Sequence, residues 1–184
     1  VNVQETTPSL WLTASEMAFC KAEGVLRGWN MGGGTAKEYY ERGVTLSFNQ
    51  WGVDGVATYL LDDTSTEANY ADALGGFGGA AAKASTITIK WDDNAPMDEK
   101  MERLITQKWI ALFPNGQEAW NEIRRTGYPR IFSVPQATNG YTLLTPNRIP
   151  FDKNQQINNR SNYDKAVELL GGPDDYATPM WWQR

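Results

Sequence analysis

The sequence predicts a mainly α-helical architecture with long loops and small β elements. Three observations carry that reading. Two capping boxes, Thr13 with Glu16 and Thr35 with Glu38, each head an apolar stripe at helical spacing. A triple glycine, Gly32-Gly33-Gly34, separates them as a turn. A second pair of helical segments, 96–112 and 117–126, is punctuated by Phe113-Pro114-Asn115-Gly116 and by Gly127.

The first helix is expected over about 9–27, with Ser9 after Pro8 competing with Thr13 as its start and Gly28 as its stop. Leu10, Ala14, Met17, Ala18, Val25 and Leu26 give it a broad apolar face. The second runs from Thr35 to about Trp51 along Ala36, Tyr40, Val44 and Phe48. Two helices joined by a short glycine turn pack antiparallel as a hairpin. Residues 54–61 add a short helix. Residues 62–84, rich in Asp, Thr, Gly and Ala, are expected to form a loop with some helical content. Residues 85–91 alternate Ile87, Ile89 and Trp91 against Thr86, Thr88 and Lys90, which suits a short strand. The helix over 96–112 sets Met97, Met101, Leu104, Ile105, Lys108 and Leu112 on one face, with Trp109 on its flank. After Arg130 the chain is mostly irregular. Residues 131–132 and 141–144 are expected to pair around Asn139-Gly140. Ser161 or Asn162 caps a last helix to Leu170, ended by Gly171-Gly172-Pro173. Four units follow within one domain spanning 1–184: a helical hairpin plus short helix (9–61), an irregular loop and short strand (62–95), a helical pair (96–130) and a loop-rich tail with one helix (131–184).

Composition narrows the chemistry. The chain has 184 residues, 41% hydrophobic and 21% charged, which places it among globular chains able to bury a core. Its net charge of −5 argues against nucleic acid or anionic lipid as the main partner. With no His, catalytic triads, His-ligated zinc and imidazole bases are excluded within the chain. Its one cysteine, Cys20, rules out an internal disulfide or a cysteine-rich metal site. No apolar run approaches the roughly 18 residues of a membrane span. The start at Val1, without a signal-peptide pattern, is expected of a processed product or a fragment.

A set of ordered motifs adds a resemblance. These are Ala14-Ser15-Glu16-Met17-Ala18-Phe19, Leu26-Arg27-Gly28-Trp29, Tyr40-Glu41-Arg42-Gly43-Val44 and Trp51-Gly52-Val53. Ile105-Thr106-Gln107-Lys108-Trp109 leads through Gly116-Gln117-Glu118-Ala119-Trp120 to Arg124-Arg125-Thr126-Gly127-Tyr128-Pro129. Arg148-Ile149-Pro150-Phe151, Leu170-Gly171-Gly172-Pro173-Asp174-Asp175 and Trp181-Trp182 close the series. In this order the chain resembles the C-terminal part of SusD/RagB-like outer-membrane nutrient-binding lipoproteins. The resemblance implies tetratricopeptide-like hairpins and a cell-surface protein that captures glycans. It further implies a TonB-dependent, SusC-like β-barrel as partner, and contact with the membrane only through the lipid anchor of an N-terminal part missing here. Cys20 lies inside a helix and is not that anchor. The matched motifs read as scaffold and supply no ligand residue.

Ligand contacts are therefore sought among the aromatic residues, eight Trp and eight Tyr among them. Sugars stack their C–H faces on aromatic rings while polar neighbours serve their hydroxyls. Trp109, Trp120, Trp29 and Trp181-Trp182 sit at helices or in the tail, where packing accounts for them. Trp51, Tyr59, Tyr70, Phe77 and Trp91 bracket or lie in the least regular segment and are the candidate ligand-binding residues, since loops on a rigid scaffold carry recognition. Asp62-Asp63 and Asp92-Asp93-Asn94 lack the alternating spacing of a calcium loop and are read as solvated charges. Adjacent carboxylates such as Asp174-Asp175 point apart and carry no glycosidase signal. Arg124-Arg125 end a helix, where dipole compensation is the simple account. Gly32-Gly33-Gly34 has no preceding strand and no following Lys-Ser/Thr, so it is a turn and not a phosphate loop. The expectation is a binding protein with no catalytic residue, cofactor or metal. It captures an oligosaccharide for import. The alternative is a helical-repeat module that binds peptide or protein, including a peptide-importing member of the same family.

Overall fold

The computed structural model describes residues 10–71, 80–131 and 146–183. Helices α1 (Ala14–Leu26) and α2 (Ala36–Trp51) form the hairpin, each opened by the threonine expected to cap it. At α2 the box is reciprocal: the Glu38 amide donates to Thr35 Oγ1 and the Thr35 amide to Glu38 Oε2. Glycines 28, 32, 33 and 34 all have φ near +80 to +94°, which lets the chain reverse between the helices where a side chain would strain it. Gly43 brings the two helices together. The Ser15 hydroxyl donates to its carbonyl at 2.8 Å, and a Cβ at this position would lie 2.8 Å from the Phe19 ring.

Helix α3 (Val56–Leu60) is followed by a two-residue antiparallel pair, β1 (Tyr70–Ala71) with β2 (Ala80–Ala81), in the register Tyr70 opposite Ala81. Helix α4 (Met97–Ala111) packs across α1 and α2, and α5 (Gly116–Thr126) continues from it. The core lies where these meet. Phe19, Tyr40, Val44, Leu104 and Ile105 are fully buried there, each worth about 1.5–3 kcal/mol as transfer energy. Tyr40 packs edge-on to Phe19 and tilts over Trp91 at 5.0 Å between centroids.

An ion network joins α1, α4 and α5 beside that core. Lys108 Nζ lies 2.8 Å from Glu122 Oε1, both side chains 5% exposed. Arg125 grips Glu23 with two nitrogens at 2.6 and 2.7 Å and reaches Glu122 Oε2 at 2.7 Å, while Arg27 adds a bond to Glu23. Arg125 thus bonds two glutamates, a more specific role than compensating a helix dipole. Arg124 also has its own partners, stacking 4.1 Å from the Trp120 ring and 4.6 Å from that of Trp182. This sandwich, with Gln183 donating to the Arg124 carbonyl, pins the short 3-10 helix Trp181–Gln183 against α5. Trp181 itself stays 80% exposed.

The tail carries α6 (Lys153–Asn158) and α7 (Arg160–Leu170). Its organising contact is Arg148 Nη1 to Asp174 Oδ1 at 2.6 Å, with the Tyr163 hydroxyl and the Phe151 amide donating to the same carboxylate.

Four expectations change. Residues 85–91 join no ladder, and the chain bends at 89–90. Side chains take their carbonyls instead, Tyr40 Oη donating to Ile89 and Arg103 Nε to Thr88. The only strands among the described residues are β1 and β2, inside the stretch read as loop with helical content. Helix α6 was not anticipated, and α7 starts at Arg160 after Asn159, two positions before Asn162. The pairing expected around Asn139-Gly140 lies outside the described residues. No helix among the described residues is long and apolar enough to cross a membrane.

Candidate functional site

A groove of about 290 Å³ opens between the loop 65–67, the extended segment 85–89, the solvent side of α4 and residues 129–131. Its floor is apolar, built from Ile87, Ile89, Trp109, Ile110 and Ile131. Its rim is polar, with Ser65, Thr66, Glu67, Thr106 and Arg130. Tyr59 stands at its edge. The hydroxyl donates to Gln107 Oε1 at 3.0 Å, and the ring tilts on Phe48 at 5.1 Å. Burial raises the Tyr59 phenol above its ordinary pKa, with the Gln107 hydrogen bond opposing, so the hydroxyl stays a neutral donor.

Each wall has a local cause. Glu67 Oε2 accepts the amides of Ala84 and Ser85, both at 3.0 Å, and so lashes the loop to the extended segment. Ser85 Oγ donates to Glu102 Oε1 at 2.6 Å, which ties that segment to α4. Arg130 Nε faces Glu102 Oε2 at 3.5 Å and brings residues 129–131 to the same face. The Trp109 indole lies in the floor, its Nε1 buried and without a hydrogen-bond partner.

On the other side of Tyr59 lies a wider, shallower depression of about 680 Å³, edged by Asp54, Asp62, Asp63 and Thr64. Asp62 Oδ1 accepts the amides of Thr64 and Ser65, and the hydrogen bonds of that turn hold its carboxyl well below the usual range. Asp63 pairs with Lys90 at 2.9 Å. No group of three or more His, Cys, Asp or Glu gathers as a metal site among the described residues.

The five aromatic residues singled out in the sequence do not form one cluster. Tyr59 lines both depressions. Tyr70 is on β1, 39% exposed. Trp51 ends α2 and tilts against Phe113 at 5.6 Å, and Phe113 lines a second apolar hollow that shares Trp109 and Ile110 with the groove. Trp91 lies in the core, 6% exposed, its Nε1 donating to Asp93. Phe77 lies outside the described residues. The groove also uses Trp109, Gln107, Ile87 and Ile89, which the sequence presented as scaffold or strand. Their signal was the polar Thr106-Gln107 pair next to Trp109 and Ile110 on a helix whose buried face is otherwise complete.

An aromatic and aliphatic floor with a rim of hydroxyl, carboxylate and guanidinium groups suits a ligand that has an apolar face and a hydroxyl-rich edge. Residues 1–183 match a family model described as SusD-like, Susd and RagB outer membrane lipoprotein. Solved structures are similar across the whole chain. A SusD homologue from Bacteroides uniformis is 42% identical with a TM-score of 0.89, covering 100% of this chain and 39% of its own. A chitin-binding SusD homologue from Flavobacterium johnsoniae is 43% identical with a TM-score of 0.83, covering 95% of this chain and 36% of its own. A SusD-like protein from Bacteroides thetaiotaomicron is 44% identical with a TM-score of 0.85, covering 96% of this chain and 37% of its own. The chain thus spans under two fifths of the length of these relatives. No curated protein is significantly similar to it.

Proposed function

Because the chain belongs to the SusD-like family of outer-membrane lipoproteins, we propose that it is part of a cell-surface glycan-binding protein that delivers oligosaccharide to a TonB-dependent, SusC-like β-barrel transporter. The observation that carries this reading is the groove beside Tyr59. A sugar ring laid on Tyr59, Trp109 and Ile89 buries its C–H face, while Thr106, Gln107 and Thr66 stand within reach of its hydroxyls. One groove of this size holds one or two sugar units, so affinity per site is modest and release into a transporter stays fast.

The chemistry is binding and not turnover. Carboxylates at the groove are committed to structure, Glu67 to two backbone amides and Glu102 to Ser85 and Arg130. The chitin-binding relative makes N-acetylglucosamine oligomers the first ligands to try.

Titration calorimetry of the intact protein with neutral oligosaccharides, alongside peptides, tests the reading. Heat and shifted Trp fluorescence with a glycan, both weakened by Trp109→Ala, support it. Response to peptides alone would favour the helical-repeat alternative. Glycan binding indifferent to Trp109→Ala and Tyr59→Ala would place the ligand elsewhere.

A further inference from the structure

Anion recognition needs a cation that is free to meet the ligand, because a guanidinium or ammonium already paired has spent its strongest hydrogen bonds. Among the described residues around Tyr59, two of the three cations are already paired. Arg130 is the only cationic side chain among the described residues lining it. Its Nε faces Glu102 at 3.5 Å, and it lies in the fields of both Glu102 and Asp98. Lys90, on the far side of Tyr59, is bound to Asp63. Lys83 stands on the exposed rim, its ammonium donating to Thr66 Oγ1 at 2.8 Å.

Anionic groups are more plentiful and less fully answered. Glu67 lines the groove, and its Oε2 accepts two amides that carry no net charge. Asp54, Asp62 and Asp63 edge the adjoining depression, and of these Asp63 alone forms an ion pair. The turn that holds Asp62 favours its ionised form, so its charge persists to low pH. A carboxylate- or sulfate-bearing chain laid across Tyr59 would meet more carboxylates than cations, with Lys83 at the rim the one described cation there that bonds a neutral group. Like charges juxtaposed at a binding surface are a standard device for rejecting the wrong partner.

We propose that this site selects uncharged oligosaccharides over uronate- and sulfate-bearing ones, with Glu67, Asp54 and Asp62 as the groups that set the discrimination. This rests on the groove being the glycan site and adds to it the class of glycan admitted. Discrimination is electrostatic and therefore falls with ionic strength, whereas stacking on Tyr59 and Trp109 does not.

The test is calorimetry of the intact protein with two series of equal length, N-acetylglucosamine or glucose oligomers and oligogalacturonates, each at low and high salt. Neutral chains are expected to bind at least about tenfold tighter than oligogalacturonates at low salt. Raised salt should narrow that ratio. Glu67→Gln, which keeps an amide oxygen for Ala84 and Ser85, should narrow it severalfold, as should Asp54→Asn. Oligogalacturonates binding as tightly as the neutral chains would overturn the charge selectivity while leaving glycan capture standing. A ratio insensitive to both salt and Glu67→Gln would overturn it equally. Binding of neither series would overturn the capture reading itself, and the selectivity with it.

Discussion

Replacing Lys108 by Met is expected to cost about 3 kcal/mol of stability, and replacing Glu122 by Leu in the same molecule to restore most of it. The Nζ to Oε1 distance is 2.8 Å and both side chains are 5% exposed. At an effective dielectric constant of about 20 that separation corresponds to roughly 6 kcal/mol of attraction, set against desolvation of several kcal/mol for each ion. Burial pulls the Lys108 pKa down, but the charge and hydrogen bond of Glu122 outweigh it and the ammonium is held above its ordinary value. Losing one member of a buried pair costs about 3–5 kcal/mol, because the other is left charged and uncompensated. The lower end applies here, since Glu122 Oε2 keeps Arg125 at 2.7 Å. In the double variant Arg125 still holds Glu23 with two bonds, and two apolar side chains face each other between α4 and α5. Urea unfolding followed by Trp fluorescence supplies the double-mutant cycle. The reasoning fails if Lys108→Met costs under about 1 kcal/mol, or if the two single costs simply add in the double variant.

Other expectations follow from the same joint and from the groove. Burial pushes the Glu23 carboxyl up, but Arg125 and then Arg27 more than offset it, so its folded pKa lies below the ordinary 4.5. Its stabilising contribution is therefore complete above about pH 4.5 and is lost as pH falls through the lower folded value. Stability measured from pH 6 to 3 should show this loss, and Glu23→Gln should flatten that part of the curve; an unchanged slope would count against it. Gly43→Ala should cost about 1–3 kcal/mol, since its Cβ would meet the Phe19 ring at 2.8 Å and force the α1–α2 crossing apart. An unaltered melting temperature would refute that. Tyr59→Ala should weaken oligosaccharide binding up to about tenfold by removing the stacking surface, as read by calorimetry.

Helix boundaries were the most legible part of the fold. Thr13, Thr35, Gly28 and Gly127 announce helix ends through local backbone chemistry, and the helices begin and end where those residues place them. Helix α6 was hidden because Asp152 caps a run of Lys, Asn and Gln with no apolar stripe to reveal its period. Over 85–91 Trp91 is buried, Ile87 and Ile89 are half-buried, and Thr86 and Lys90 are exposed, yet alternation reports which side is buried and not what bonds the backbone. Tyr40 and Arg103, some 49 and 15 residues away in the chain, supply those bonds. The groove was less legible for the same reason. It is assembled from short pieces around positions 59, 66, 87, 108 and 130, and only Tyr59 stood out beforehand. Trp109 was assigned to packing because it falls on a helix within a motif read as scaffold.

The way residues 85–91 are held bears on how such a recognition surface can diversify. A strand in a ladder is locked in register, and an insertion beside it shifts every pair along its length. Here two side chains from α2 and α4 hold the segment, together with the Lys90 amide donating to the Asp62 carbonyl at 2.9 Å. Chain between Asp62 and Thr88, which carries the β1–β2 pair within itself, can therefore lengthen, shorten or change composition without moving the helices. The scaffold behaves as a socket, and the stretch between those anchors as an exchangeable cassette. Grafting that stretch from one relative onto another, with Tyr40, Arg103 and the carbonyls they bind retained, is a direct route to moving a glycan preference between proteins.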